Sequence, residues 1–273
     1  MKRLLSLAII ICAFSSNCYA IETESDPQNV SLPVLMYHRI LKNDTARDVY
    51  TISMSAFEQD LKFLSENGYT SVATNDVYNF LTRGTPLPEK PVLLTFDDGH
   101  YSTLTYAVPL LERYGFKASV FVVGTFTEMD TKTTPNPAFS YITWEQMDKL
   151  PACLEIGNHS YNLHSYTGLR NGITKRKGES LAAYRMLLAS DLLTLQSKIA
   201  DHTGSRPIAL ALPFGARSSA AFPVMDAVGL RLTFGSTEGI NSLNVGGKCH
   251  ELKRLCRLPH KSAEFLLDKY AKK

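Results

Sequence analysis

The 273-residue sequence lacks the features that mark several large classes of protein. It has no GxGxxG or Walker motif, no internal repeat and no low-complexity tract, so the common nucleotide-binding signatures and repeat architectures are missing. Its charge is nearly balanced, with 29 Lys and Arg residues against 26 Asp and Glu residues. Since binding to a polyanion by bulk charge needs an excess of positive charge, this balance argues against a nucleic-acid partner.

Long apolar runs are also scarce, and the one near the amino terminus has a specific pattern. Lys2 and Arg3 precede the run LLSLAIIICAF, and small and polar residues follow it up to Ala20. This pattern is typical of a secretory signal peptide, and the run is too short to span a bilayer. We expect residues 1–20 to be removed, although Cys18 leaves a lipid anchor as an alternative. The product, residues 21–273, would be exported to the periplasm or secreted, with no transmembrane segment.

Cysteine and tryptophan are rare, with five and one copies. After residue 20 only Cys153, Cys249 and Cys256 remain, and their spacing does not make a zinc site by itself. In an oxidising compartment Cys249 and Cys256 could close a short loop, which leaves Cys153 as a buried thiol. Trp144 is expected to anchor the start of a helix in the core.

What the sequence does contain is a series of short apolar runs, several of them continuous rather than alternating. These runs are PVLMYHRI (33–40), PVLLTFDDG (91–99), ASVFVVG (118–124), LEIGNHS (154–160), PIALALPFG (207–215), LRLTFGS (230–236) and CRLPH (256–260). Continuous runs suit strands that are buried on both faces, and helix-like segments between them predict a parallel sheet. With about seven strands, an α/β fold in a closed or nearly closed β/α barrel is favoured over an open doubly wound sheet.

The helix-like segments carry recognisable start and stop signals. They cover 55–68, 74–84, 102–115, 143–150, 179–203, 218–228 and 262–272. Ser55 and Thr143 are candidate N-caps, Gly84 and Gly115 are candidate stops, and Pro109 is a candidate kink. The stretches 125–140 and 168–178 are predicted to be surface loops.

Polar side chains are concentrated where the predicted strands end, which is where parallel β/α folds place their functional groups. Asp97 and Asp98 end one strand, His159 ends another, and His164 follows five residues later. If the chain bends after His159, two imidazoles and one carboxylate can share a divalent cation such as Zn²⁺, Fe²⁺, Mn²⁺ or Co²⁺. The second carboxylate could then act as a general base. The alternative is that the aspartates form a turn and the histidines a turn cap and a surface residue.

Three stretches resemble the signature motifs of the polysaccharide deacetylase family, the NodB-homology carbohydrate esterases. They are TFDDG (95–99), GNHSYNLH (157–164) and LPFG (212–215), and their order and spacing match over roughly residues 33–260. The six-residue HSYNLH form and the opening LMYHRI are similar to the branch of exported poly-β-1,6-N-acetylglucosamine deacetylases.

The resemblance implies a distorted (β/α)7 barrel of NodB type, in a single domain, that removes N-acetyl groups from the GlcNAc residues of an extracytoplasmic polysaccharide. The polymer would be of the poly-β-1,6-GlcNAc or peptidoglycan type. The cofactor would be Zn²⁺, with Co²⁺, Fe²⁺, Mn²⁺ or Ni²⁺ as alternatives. The implied roles are Asp97 as base, Asp98, His159 and His164 as metal ligands, and Pro213, Phe214 and Gly215 as groove wall, with the Phe214 amide facing the oxyanion.

The chain departs from the family pattern at one position and leaves others open. Ala211 stands where the family often has an arginine that orients the base, and Arg257 is either its substitute or a structural residue. His260 matches the position of a general acid, or else is a simple strand-end histidine. His38 is expected to support the metal site from behind or to pack, and Tyr161 to contact sugar.

Two other functions are compatible with the same residues. One is a carbohydrate-binding barrel without catalysis, which the missing arginine at position 211 supports. The other is a metal-dependent esterase or amidase that acts on small acyl substrates.

Overall fold

Eight parallel strands form the central sheet of the protein, and seven of them follow one continuous path. The structure is a computed structural model that describes residues 29–43, 48–131, 134–167 and 170–271. The strands are β1 (Val30–Leu32), β2 (Val34–Tyr37), β3 (Arg39–Leu41), β4 (Thr51–Ser53), β5 (Thr70–Ser71), β6 (Pro91–Phe96), β7 (Ala118–Val122), β8 (Leu154–Asn158), β9 (Tyr166–Thr167), β10 (Arg170–Asn171), β11 (Ala209–Ala211), β12 (Leu232–Phe234), β13 (Asn241–Leu243) and β14 (Leu255–Cys256). The α-helices are α1 (Met54–Glu66), α2 (Thr74–Arg83), α3 (Val108–Tyr114), α4 (Gly124–Asp130), α5 (Trp144–Met147), α6 (Leu181–Thr203), α7 (Phe222–Ala227) and α8 (Ala263–Ala271). The expected signal peptide, residues 1–20, lies outside the described residues.

The central sheet curls into a nearly closed barrel. Its strand order is β12-β11-β8-β7-β6-β2-β14, every pairing along it is parallel, and β5 adds to the start of β6. The two ends meet through a single parallel bridge between Phe234 and Leu252, supported by a 2.8 Å hydrogen bond from the Leu252 amide to the Thr233 carbonyl. The closure is therefore short, as in a distorted (β/α)7 barrel, and confirms the predicted fold class.

Six of the seven predicted runs contain a strand of this sheet, whereas the seventh, CRLPH (256–260), overlaps β14 only at Cys256. Along β6, Leu93 packs with Phe121 and Phe234, whereas Leu94 and Phe96 belong to a separate cluster with residues of α1, α3 and α8. Alternate side chains thus fill the barrel and the layer between barrel and helices.

The helices begin and end close to the predicted positions, with two corrections. Gly84 and Gly115 end α2 and α3 in the left-handed conformation, and Thr143 caps α5 as expected. A π-helical turn, Thr103–Ala107, precedes Pro109 and marks the predicted kink. Ser55 does not cap α1, because the Ser53 hydroxyl accepts the Ala56 amide instead. Residues 125–140 are not all loop, since they contain most of α4.

The structure bears on two smaller predictions, the possible Cys249–Cys256 disulfide and the core position of Trp144. Cys153, Cys249 and Cys256 are all free thiols, so the Cys249–Cys256 disulfide is not formed. Trp144 is 5% exposed at the first residue of α5, which confirms its role as a core anchor. In the described part of the chain, none of the helices has the length and apolar character needed to cross a bilayer.

Candidate metal centre and active site

A cavity of about 310 Å³ opens at the carboxyl edge of the barrel, where several strands deliver polar side chains. Its walls are formed by Met36, His38, Tyr50, Asp97, Asp98, His159, His164, Leu212, Phe214, Gly215, Ser236 and Arg254. Seven of these residues were singled out from the sequence, and their clustering follows from the shared direction of the parallel strands.

The loops that form the cavity adopt backbone conformations that side chains rarely take. Asp98, Ser160 and Phe214 have φ angles of 70°, 72° and 58°. Gly99 follows Asp98 at φ 74°, and a Cβ atom there would lie 2.8 Å from the Val122 Cγ1 atom. Such conformations persist only where the surrounding structure enforces them, and they are enriched at functional sites.

Asp98, His159 and His164 place one ligand atom each within 4.8 Å of one another. The Asp98 Oδ1 atom lies 3.5 Å from His159 Nε2 and 3.3 Å from His164 Nε2. Ligand atoms bound to one Zn²⁺ ion at about 2.0–2.2 Å in a tetrahedral arrangement are separated by roughly 3.3–3.6 Å. The spacing therefore fits a divalent cation.

The histidine tautomer also fits a cation. His159 Nδ1 lies 2.8 Å from the Ala211 carbonyl oxygen, which can only accept, so Nδ1 carries the proton and Nε2 offers its lone pair to the cavity. Burial opposes protonation of His159, but Asp98 and Asp97 outweigh it and raise its pKa. Burial and the adjacent His159 lower the pKa of His164 to about 4, so His164 is neutral at pH 7.

Asp97 lies beside this cluster and is held by an arginine that the sequence analysis missed. Arg254 donates from Nη1 to Asp97 Oδ1 and from Nη2 to Asp97 Oδ2, both at 2.7 Å, and from Nε to the Gly235 carbonyl at 2.9 Å. Both side chains are buried, at 2% and 4% exposure. Burial works to raise the pKa of Asp97, but Arg254 and then His159 lower it overall, so the carboxylate is ionised at neutral pH.

Arg257, the predicted substitute for the arginine expected at position 211, has a different partner. Its Nε atom donates to Asp60 Oδ2 of α1 at 2.6 Å, in a buried ion pair outside the cavity. The Asp60 carboxylate also accepts the Ala263 amide, so this pair joins α1, the residue that follows β14 and the start of α8. The alternative of a structural role for Arg257 is the one that the geometry favours, and Arg254 provides the missing guanidinium.

Three other predicted residues do not line the cavity. His260 is exposed in the turn between the bridged residues Leu258 and Lys261, and the general-acid assignment is not retained. Tyr161 packs against Gly124 and the core, and Pro213 is buried.

The two candidate histidine ligands are joined by a loop that α6 holds in place. The Tyr161 amide donates to Asp191 Oδ1 and the Asn162 amide to Asp191 Oδ2, both at 2.8 Å. Replacing Asp191 with alanine is expected to weaken Zn²⁺ binding about tenfold, because outer-shell contacts that orient ligands typically contribute 10- to 100-fold in affinity. Isothermal titration measures this effect.

Asp226→Ala is the matched control, since Asp226 is a half-exposed aspartate whose partner, His250, lies outside the cavity lining. Asp191→Asn retains one acceptor and is expected to lose less affinity than Asp191→Ala. Unchanged Zn²⁺ affinity in Asp191→Ala would show that the loop holds its shape without this carboxylate.

Comparisons with known proteins give a consistent picture. The sequence profile described as polysaccharide deacetylase matches residues 84–233. YxkH of Bacillus subtilis (strain 168) is 30% identical over 178 residues, which cover 64% of this chain and 57% of that protein. The poly-beta-1,6-N-acetyl-D-glucosamine N-deacetylase of Escherichia coli (strain K12) is 23% identical over 229 residues, covering 76% of this chain and 34% of that protein.

Solved structures share the fold as well. The structure of IcaB from Ammonifex degensii matches with a TM-score of 0.70 at 25% identity, covering 89% of this chain and 97% of that one. The chain spans 57% of the length of YxkH and 34% of the length of the E. coli protein.

Proposed function

The chain belongs to the polysaccharide deacetylase family, and we propose that it is a metal-dependent hydrolase that removes N-acetyl groups from the GlcNAc residues of an extracytoplasmic polysaccharide. The observation that carries this proposal is the placement of Asp98, His159 and His164 around one point in an open cavity, with the ionised Asp97 beside them. The E. coli relative suggests a poly-β-1,6-GlcNAc substrate. The amino-terminal pattern around Lys2 and Arg3 supports export of a catalytic domain over residues 21–273.

In this proposal Asp98, His159 and His164 would hold the cation. A bound divalent cation would supply Lewis acidity toward the acetyl carbonyl and toward water. Asp97 accepts the proton of the attacking water, because each of its oxygens retains a lone pair beyond the one used by Arg254.

Residues of the cavity wall would stabilise the oxyanion and protonate the departing amine. The backbone amide of Phe214 would donate to the oxyanion that forms on the acetyl carbonyl. Burial lowers the pKa of His38, so its imidazole is neutral at pH 7 and holds no spare proton. The departing amine therefore needs the proton that Asp97 takes from the attacking water, and His38, which lines the cavity and whose buried Nδ1 atom has no hydrogen-bond partner among the described residues, is the group that we propose passes it on. The absence of an arginine at position 211 was the best argument for a carbohydrate-binding barrel without catalysis. Arg254 weakens that argument, because it supplies Asp97 with a guanidinium partner.

Acetate release from β-1,6-linked GlcNAc oligomers tests the proposal. The purified protein should release acetate with Zn²⁺ or Co²⁺, lose this activity after chelation, and regain it when the cation is restored. β-1,4-linked GlcNAc oligomers and an O-acetyl ester serve as parallel substrates.

The substrate pattern separates the alternatives. Acetate from the β-1,6-linked oligomers supports the proposed polymer, and acetate from the β-1,4-linked oligomers alone would point to a peptidoglycan-type polymer. Acetate from the ester alone would point to an esterase. If the protein binds cation but releases no acetate from any substrate, the deacetylase proposal is wrong.

A further inference from the structure

The two oxygens of Asp98 face different partners. Oδ1 faces the histidines of the candidate metal centre, at 3.5 Å from His159 and 3.3 Å from His164. Oδ2 lies 3.5 Å from Nε2 of His100, a residue that is 4% exposed and does not line the cavity. A carboxylate that can bind a cation through either or both oxygens is thus placed with only one oxygen toward the centre.

Arg39 determines which nitrogen of His100 carries the proton. Arg39 Nη2 lies 3.4 Å from His100 Nδ1, and a guanidinium can donate but cannot accept a hydrogen bond. Nδ1 must therefore accept, which leaves the proton on Nε2, the atom that faces Asp98 Oδ2. At 3.5 Å this contact is an electrostatic one between the ring N–H and the carboxylate.

Arg39 and His100 form a relay of contacts to Asp98, and further contacts hold each of them in place. The His100 ring stacks on Tyr141, with ring centres 5.0 Å apart and planes 22° apart, and the two residues form an antiparallel backbone bridge. Arg39 Nη1 donates to Asp48 Oδ2 at 2.8 Å, and Asp48 Oδ1 accepts the Tyr50 amide at 2.9 Å. The Arg39 guanidinium therefore contacts two groups. One is Asp48, in the turn that brings Tyr50 to the cavity, and the other is His100, which lies behind Asp98.

We propose that Arg39 and His100 are positioning residues that occupy Oδ2 of Asp98 and restrict this carboxylate to ligation through Oδ1. The inference rests on the proposed metal centre. Neither Arg39 nor His100 takes part in proton transfer in this proposal. Without the relay, Asp98 is free to rotate or to bind through both oxygens, which changes the coordination number and weakens the oriented site.

Co²⁺ titration followed by visible absorption tests the relay, because the intensity of the Co²⁺ d–d bands falls as coordination number rises. His100→Phe keeps the stacking on Tyr141 and removes both nitrogens. It is expected to bind Co²⁺ about 10- to 100-fold more weakly, with weaker bands at saturation. Arg39→Met is expected to change both quantities in the same direction by a smaller amount. Arg113→Met is the matched control, since Arg113 is an exposed arginine whose Nη1 atom lies 2.7 Å from Glu58 Oε1.

The double variant separates a relay from two independent effects. If Arg39 acts through His100, the double variant binds Co²⁺ no more weakly than His100→Phe alone. Additive losses, or wild-type affinity and spectrum in both single variants, would overturn the relay while leaving the metal centre in place. A wild-type protein that binds no Co²⁺ would overturn the metal centre and the relay together. Thermal unfolding of the cation-free proteins identifies any variant that does not fold, and Arg39→Met then stands alone as the test.

Discussion

Replacing Asp97 with asparagine is expected to lower kcat for acetate release about 10²- to 10⁴-fold, while Zn²⁺ affinity stays close to that of the wild type. Asparagine has nearly the shape of aspartate and keeps one oxygen for Arg254, but it cannot accept the proton of the attacking water. Neither Asp97 oxygen belongs to the cluster formed by Asp98 and the two histidines. Single-turnover acetate release and Zn²⁺ titration of the same preparation measure the two quantities.

Asp98→Ala is the companion variant, and the reverse pattern is expected. Because Asp98 supplies the only carboxylate of the cluster, its loss should weaken Zn²⁺ binding, with activity falling as a consequence. Adding excess Zn²⁺ should recover part of the activity of Asp98→Ala and none of the activity of Asp97→Asn. Equal loss of Zn²⁺ from both variants would merge the two roles and contradict the division between base and ligand.

Arg254→Met is expected to have the largest combined effect on stability and activity. The substitution leaves the buried Asp97 carboxylate without its counterion, which typically costs about 3–5 kcal/mol in the free energy of unfolding. For a chain of this size the loss corresponds to a fall in Tm on the order of 10 °C. We also expect kcat to fall, since Asp97 loses the two hydrogen bonds that orient it. Differential scanning calorimetry and acetate release at a temperature where the variant is folded measure these changes.

Arg257→Met provides a control within the same segment of the chain. Arg257 also forms a buried ion pair, with Asp60, but this pair lies outside the cavity. Its loss should lower Tm by a similar amount and leave kcat of the folded protein near the wild-type value. If Arg257→Met lowers kcat as much as Arg254→Met does, the orientation of Asp97 by Arg254 is not specific.

Most of the barrel could be predicted because several of its strands are continuous apolar runs. Leu93 and Leu94 are both fully buried, Leu93 in the barrel and Leu94 beneath the helices. Because both faces of the strand are apolar, the strand is visible in the sequence as an unbroken apolar run. The helix ends depend on local backbone geometry that residue type alone does not fix. Ser53 and Ser55 lie on either side of the first residue of α1, and only the backbone geometry decides that Ser53 is the cap.

The proximity of Asp98, His159 and His164 could be predicted because short motifs at strand ends bring them together. The partner of Asp97 could not, since Arg254 is distant along the chain and a charged residue is usually expected at the surface. The two arginines flank the two-residue strand β14 and have different partners, since Arg254 reaches Asp97 in the barrel and Arg257 reaches Asp60 of α1. The proposed role of His100 could not be predicted from the sequence near it, because that role depends on Arg39, which lies on another strand.

An anomalous difference map from a crystal soaked in Zn²⁺, recorded at the zinc absorption edge, tests the metal centre most directly. One peak is predicted, about 2.0–2.2 Å from Oδ1 of Asp98 and from Nε2 of His159 and His164. It should be absent in Asp98→Ala crystals soaked in the same way. A protein that binds Zn²⁺ only elsewhere, with no peak among these three atoms, would contradict the account.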